Sequence, residues 1–274
     1  MKSNQVPSQD VASGASTAPL LFAEDLWLSF GGLKAVQNFT LGLPRGALYG
    51  LIGPNGAGKT TVFNLLTGVY RPDSGRIVLD SQELVGRQPH EIAAAGIART
   101  FQNIRLFPDL TVLDNVRLAG QLRASQRLGG ILLRTGRQRE EEATICRRAF
   151  ALLELFDLQD RADTLATNLS YGHQRHLEIV RALATEPKVL LLDEPAAGLN
   201  SREKQELAGS IRRIRAQFQL AVLLIDHDMN LVMEICERIA VLDHGVMIAR
   251  GTPAEIQHDP KVIAAYLGCS EPLN

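Results

Sequence analysis

The sequence predicts an α/β fold whose core sheet is rich in parallel strands. Three observations lead there. The short apolar run Ala47-Leu48-Tyr49-Gly50-Leu51-Ile52 feeds into the glycine loop Gly53-Pro54-Asn55-Gly56-Ala57-Gly58-Lys59-Thr60, and helical spacing starts at once over 60–66. The runs 189–192 and 220–225 have the length and apolar character of buried strands. Each is followed by a helical pattern, and strands that alternate with helices favour parallel pairing.

The elements follow in order. Residues 1–19 are rich in Ser, Ala and Gln, with neither a basic start nor an apolar stretch, and read as a disordered tail rather than a secretory signal. Residues 20–43 read as strands broken by Gly31-Gly32. Asp73-Ser74-Gly75 turns the chain into a strand over 76–79. From about 102 to 168, leucine and charged residues dominate, and Ala149, Leu152, Leu153 and Phe156 share a helical face; this is the expected helical subdomain. Its stretch 123–139, with Gly129-Gly130 and Ile131-Leu132-Leu133, reads as a solvated helical hairpin or as a contact with a membrane face or partner.

The α/β pattern returns after Pro187. Asn200 is placed to cap a helix over 200–218, Glu203 completes a variant capping box, and Leu207, Ile211, Ile214 and Phe218 form its apolar stripe. A helix is expected over 229–237. Two apolar runs flanking Asp243-His244-Gly245 predict a hairpin. One large domain is expected over 20–268, with a short tail at 269–274.

Composition narrows the function. Of 274 residues, 45% are apolar and 22% charged, with a formal net charge of −1, which gives no global electrostatic case for nucleic acid. Cys146, Cys236 and Cys269 are far apart and form no C-x-x-C, suggesting buried thiols in a reducing compartment. No apolar run approaches the roughly 18 residues that span a bilayer. A membrane role therefore has to come through a partner.

The glycine loop carries the first chemistry. Gly53, Gly56 and Gly58 allow backbone N–H groups to turn inward onto phosphate oxygens. Lys59 is placed to reach β and γ phosphates, the Thr60 hydroxyl to bind magnesium, and Thr61, at the helix N-terminus, to donate to phosphate. Asp193 ends an apolar strand, where a carboxylate needs a cation, and magnesium would supply one. Glu194 follows as the candidate to polarise an attacking water. His227, after the strand over 220–225, lies at the carboxyl end of a core strand, where α/β sheets bind ligands. Ser170 and Gly172 precede an expected helix over 173–185 and form a second candidate anion site, which suits the nucleotide of another subunit. His173 and His176 have helical spacing but no third ligand, so they are not read as a metal site.

These motifs together resemble the ATP-binding cassette family from about residue 20 to 268. The resemblance implies a P-loop NTPase (RecA-like) core with an antiparallel β subdomain and a helical subdomain. It makes Phe30 the aromatic that stacks on adenine and Gly53, Pro54, Asn55, Gly56, Ala57, Gly58, Lys59 and Thr60 the Walker A loop. Gln102 becomes the glutamine that senses magnesium and the γ phosphate, and Ser170 and Gly172 belong to the signature at 169–173. Asp193 and Glu194 become Walker B, 196–200 the D-loop, and His227 the switch histidine. ATP and Mg2+ are the implied cofactors, held between two subunits packed head to tail. Tyr171 stands where the family usually has glycine, His173 where it has glutamine, and Asn200 where it has aspartate. Leu-Ser-Tyr-Gly at 169–172, Arg-Thr-Phe-Gln-Asn at 99–103 and Ala-Ala-Tyr-Leu-Gly at 264–268 resemble the LivG-type subgroup of branched-chain amino-acid importers; His173 and Asp226 depart even from that pattern.

The subgroup implies a peripheral ATPase at the cytoplasmic face of the inner membrane. Its implied partners are a related second ATPase subunit, two permease subunits and, indirectly, a solute-binding protein outside. The alternatives are an ATPase for another small solute or a lipid exporter, which share the catalytic motifs. A cassette acting on nucleic acid or ribosomes would bring a second cassette, a long coiled coil or a basic patch, and none is evident.

Overall fold

The computed structural model describes residues 18–124 and 136–267. The greater parts of the expected tails and most of the stretch 123–139 lie outside the described residues, as does Cys269. The chain opens on two long antiparallel strands, β1 (Leu21–Phe30) and β2 (Leu33–Leu43), joined through Gly31-Gly32 as expected. β3 (Leu48–Ile52) runs into α1 (Lys59–Leu66). β4 (Ser74–Leu79) and β5 (Gln82–Glu83) extend the antiparallel part on the far side of β1.

Then come α2 (Pro89–Ala95), β6 (Ile97–Arg99), α3 (Val112–Ala124), α4 (Gly136–Glu154) and α5 (Tyr171–Leu183). The carboxyl half holds β7 (Val189–Asp193), α6 (Ser201–Phe218), β8 (Ala221–Ile225) and α7 (Met229–Ile235). It closes with β9 (Arg238–Asp243), β10 (Val246–Gly251), α8 (Pro253–His258) and α9 (Pro260–Leu267).

One sheet has the order β5-β4-β1-β2-β10-β9-β3-β8-β7-β6. The run from β9 through β3, β8 and β7 to β6 is parallel, and β1, β2, β4 and β5 pair antiparallel. A single register pair, Val246 with Gln37, joins the two parts. β3, β7 and β8 are buried along their whole length, as central strands covered on both faces must be. Alternate residues feed two cores. Leu190 and Leu192 face one with Leu153, Leu177 and Ile211; Val189 and Leu191 face the other with Phe39 and Phe63. The first core also takes Val112 and Val116 of α3 and Leu153 of α4, so the helical segment is seated on the sheet core.

The local expectations meet the structure in detail. Asn200 caps α6 through Glu203 N, and the Glu203 carboxylate returns to Asn200 N. The β9–β10 hairpin turns on His244 and Gly245, both at positive φ, which fits the right-handed twist of the strands. Three expectations need correction. α5 starts at Tyr171, because Ser170 is its N-cap, so Tyr171 and Gly172 lie inside the helix. α7 ends at Ile235, before Cys236 and Glu237. Phe218 is exposed at the end of α6, although Leu207, Ile211 and Ile214 are buried as the stripe requires. Of the two described cysteines, Cys236 is buried and Cys146 half-buried, and both are free.

Candidate functional site

β3 delivers the chain into the phosphate loop, where two glycines are obligatory. Gly53 has φ 150°, and a Cβ there would lie 2.0 Å from the Leu242 carbonyl oxygen. Gly58 has φ 102°, and its Cβ would lie 2.7 Å from the Ala35 carbonyl oxygen. Gly58 is also the N-cap of α1 and offers no side chain to the first turn. The leading N–H groups of α1 are left without a side-chain cap, the condition in which a helix end attracts an anion.

The loop folds over its own lysine. Lys59 Nζ donates to the carbonyls of Gly53 at 2.6 Å and Pro54 at 2.9 Å. Burial lowers the Lys59 pKa, and the nearby carboxylates of Glu194 and Asp193 oppose that. Ala57 is buried and its carbonyl accepts from Gly245 N at 2.9 Å, which ties the loop to the β9–β10 hairpin. Asn55, Gly56 and Thr60 stay exposed, and Thr61 is half-buried.

Opposite stand the carboxylates that end β7. Asp193 is buried, and its Oδ2 accepts from Arg99 Nη2 at 2.7 Å. Arg99 reaches back to Asn64 Oδ1 of α1, also at 2.7 Å, with its guanidinium over the rings of Phe63 and Phe101. Glu194 has φ 48°, an uncommon conformation for a residue with a side chain, and its N–H is held by the Ile225 carbonyl at 2.8 Å. Its carboxylate turns to Gln102, whose Nε2 donates to Glu194 Oε2 at 3.0 Å, while His227 Nδ1 lies 3.7 Å from the same oxygen. Gln102, Glu194 and His227 therefore converge, with Lys59 facing the same carboxylates.

Asp226, where the sequence departs from the subgroup pattern, is buried and structural. It accepts from Ala196 N at 3.1 Å and Asp228 N at 2.9 Å, which joins the segment after Glu194 to the His227 turn. Burial raises its pKa, and these two N–H groups oppose the rise. His173 lies 2.9 Å from Ser170 Oγ through Nδ1. Ser170 is exposed at the N-terminus of α5. The described contacts of Ser170 and Gly172 run to α5 and α6, not to the phosphate loop. Phe30 is exposed at 46% and meets Tyr70 edge-on at 5.2 Å between ring centroids. It is no core aromatic, and its free face is available to a planar ligand.

Sequence reasoning singled out neither Arg99 nor Tyr70. Arg99 is on a strand of three residues, and its partner comes from β7. Nothing local signals that pairing. Tyr266 of α9 was noted only as part of a subgroup ending; its phenol is raised by burial and opposed by the neighbouring Gly53 backbone.

The residues present fit magnesium. Among the described residues no group of three or more His, Cys, Asp and Glu could hold a metal ion. Magnesium asks for less, since it takes one or two carboxylates together with phosphate oxygens and water. Asp193 Oδ1, the Thr60 hydroxyl and the Gln102 amide oxygen would hold it.

A phosphate loop after β3, a buried aspartate closing β7 and a glutamate beside it define a nucleotide-binding P-loop protein. The family model for the ABC transporter matches residues 36–197. That for the branched-chain amino acid ATP-binding cassette transporter matches residues 246–268. The chain is 47% identical to the high-affinity branched-chain amino acid transport ATP-binding proteins LivG of Salmonella typhimurium and Escherichia coli K12, over 91% of its length and 98% of theirs. BraF of Pseudomonas aeruginosa is 44% identical over the same shares. The crystal structure of the ADP conformation of MJ1267, an ATP-binding cassette of an ABC transporter, superposes with a TM-score of 0.79 at 29% identity, covering 92% of this chain and 100% of that one. The chain belongs to the ABC transporter family, as one of its ATP-hydrolysing cassettes.

Proposed function

We propose that this chain is the ATP-hydrolysing subunit of an importer for branched-chain amino acids. The observation that carries the solute class is the 47% identity to LivG over nearly the full length of both chains. The match at residues 246–268 supports it from a segment outside the catalytic motifs.

In this reading the phosphate-loop amides and Lys59 hold the β and γ phosphates, and Phe30 stacks on adenine. Asp193, Thr60 and Gln102 hold magnesium, which supplies charge neutralisation at the γ phosphate when bound. Glu194 accepts a proton from the attacking water, and its unusual backbone aims the carboxylate. Gln102 and His227 orient that carboxylate from two sides. Ser170, exposed at the N-terminus of α5, and Gly172 beside it act on the nucleotide of a second, related ATPase subunit.

Among the described residues no helix is long and apolar enough to cross a membrane. Two permease subunits carry the solute, and this chain works at the cytoplasmic face of the inner membrane through them. The test is reconstitution of the chain with its permeases, a second cassette and the solute-binding protein in liposomes. ATP-dependent uptake of leucine, isoleucine or valine is expected. Uptake of another solute class alone would overturn the assignment of substrate.

A further inference from the structure

A buried charge pair on α5 grips the main chain of the glutamine loop. Arg175 and Glu178 are both 3% exposed. Arg175 Nη1 donates to the Phe101 carbonyl at 2.9 Å, and Nη2 donates to the Gln102 carbonyl at 2.5 Å. Glu178 Oε1 accepts from Phe101 N at 3.1 Å, and its other oxygen lies 3.4 Å from Arg175 Nη1. The loop is thus held through both donors and acceptors of its backbone. The grip is independent of the Gln102 side chain, which points to Glu194.

Tyr171 completes the device. Its hydroxyl accepts from Arg175 Nη2 at 2.8 Å, and Arg175 lies 5.3 Å from its ring centroid. The ring also lies close to Gly198, where a Cβ would come within 2.9 Å of Tyr171 Cε1. Gly198 has φ 76°, so the backbone also favours glycine there. One residue further on, a Cβ at Gly172 would lie 2.9 Å from Glu203 Oε1 of the α6 capping box. A glycine in place of Tyr171 would bring neither hydroxyl nor ring, so the departure from the usual family pattern has a physical role.

The geometry points to Tyr171, Arg175 and Glu178 as positioning residues that make the Gln102 loop and the N-terminal end of α5 one rigid body. The proposal rests on the nucleotide reading above. What Gln102 meets in its own site is thereby carried to Ser170 and Gly172, which face the nucleotide of the other subunit. The coupling requires only that a ligand-dependent shift of the loop main chain be shared by α5, and charge-assisted hydrogen bonds to two successive carbonyls impose that. Gly198, packed against Tyr171, is drawn into the same unit.

Hydrogen exchange on the full chain tests this, at a dilution where light scattering reports monomers, so that no second subunit covers Ser170. A non-hydrolysable ATP analogue with magnesium should slow exchange in peptides covering 99–105 and 169–177 together. In Arg175→Gln the first segment should still respond, and the second should lose its response, a change of roughly ten-fold in exchange rate. Tyr171→Phe, which removes one hydroxyl and keeps the ring, should weaken the second response without lowering the melting temperature. Arg175→Lys, retaining charge but not the fork, should restore it only in part. An unaltered response at 169–177 in both Arg175→Gln and Tyr171→Phe would overturn the coupling while calorimetry still showed the analogue bound. Failure of the wild-type chain to bind the analogue would overturn the nucleotide reading and the coupling together.

Discussion

Arg99 donates to Asp193 across 2.7 Å in a pocket where their side chains are only 7% and 4% exposed. The buried aspartate thus has a cation partner within the protein itself. Its Oδ2 is committed to Arg99, which leaves Oδ1 with no protein donor among the described residues to compete with a cation. Arg99→Leu removes one half of a buried pair, and such a loss costs about 3–5 kcal/mol. Urea unfolding without nucleotide should show that loss, and magnesium with ATP should recover more stability in the variant than in the parent. Equal stabilisation of both chains would show that Arg99 and magnesium do not act on the same carboxylate.

Glu194→Gln should keep nucleotide binding and lose most turnover. Gln102 Nε2 now donates to Glu194 Oε2 at 3.0 Å, and an amide oxygen at the same place would still accept. The water loses its base, a role typically worth about 100- to 10,000-fold. Single-turnover hydrolysis measured beside equilibrium ATP binding decides it, and near-normal turnover would remove Glu194 from the role.

Lys59→Ala should weaken ATP binding roughly ten- to hundred-fold, the range of one charge-assisted hydrogen bond. Nζ is bonded to the Gly53 and Pro54 carbonyls, so its loss also frees the loop. Calorimetric titration with ATP and magnesium is the measurement. Unchanged affinity would contradict the phosphate-loop reading.

His176 gives a pH dependence with a defined sign. Neither ring nitrogen has a hydrogen-bond partner among the described residues, and the ring lies 5.5 Å from that of Phe156 between centroids. Burial lowers its pKa, with His173 adding to the effect and Glu206, Asp157 and Glu203 opposing it. A depressed basic group binds fewer protons folded than unfolded. Its stability contribution is therefore complete above the ordinary value of 6.5 and declines as pH falls below it. Melting temperatures of the parent should fall over that window, and His176→Leu should flatten the fall. Parallel curves would show that His176 binds its proton equally well folded and unfolded.

What the sequence made legible was local. The glycine loop sits between a strand and a helix that are contiguous in the chain, and its glycines are needed for backbone reasons that no partner changes. The capping of α6 by Asn200 and Glu203 spans one helical turn. α2 carries signals of the same local kind, with Pro89 in its first turn, Glu91 reaching back to Gln88 N and Gly96 closing it at positive φ, although no helix is among those expected from the sequence there. The contacts that assemble the site were not legible. Arg99 meets Asp193 only once β6 pairs with β7, and Arg175 meets the Gln102 loop only once α5 packs beneath it. Periodicity also cannot say where a sheet stops. Phe218 has the spacing of the α6 stripe but lines an open cleft with Leu155, Leu183 and Leu220.

The segment after Gln102 provides the last prediction, on where hydrolysis meets transport. Residues 103–116 hold Ile104, Leu106, Phe107, Leu110 and Val112. Plain core packing would bury them all, but only Val112 is fully buried, and Phe107 is 46% exposed. Phe107 is also held firmly. The Asn115 side chain accepts from Phe107 N at 2.9 Å and donates to its carbonyl at 3.0 Å, and Arg181 lies 5.4 Å from its ring centroid. A large apolar side chain fixed at the surface, a few residues from Gln102, suits a permease helix. Phe107→Asp puts a charge where a partner would bury an aromatic, while the fold loses little because nearly half of the side chain is already exposed. Co-purification with the permease and transport should therefore fall sharply, with ATP affinity and melting temperature nearly unchanged. Parallel loss of folding and ATP binding would return Phe107 to the core and take this segment out of the interface.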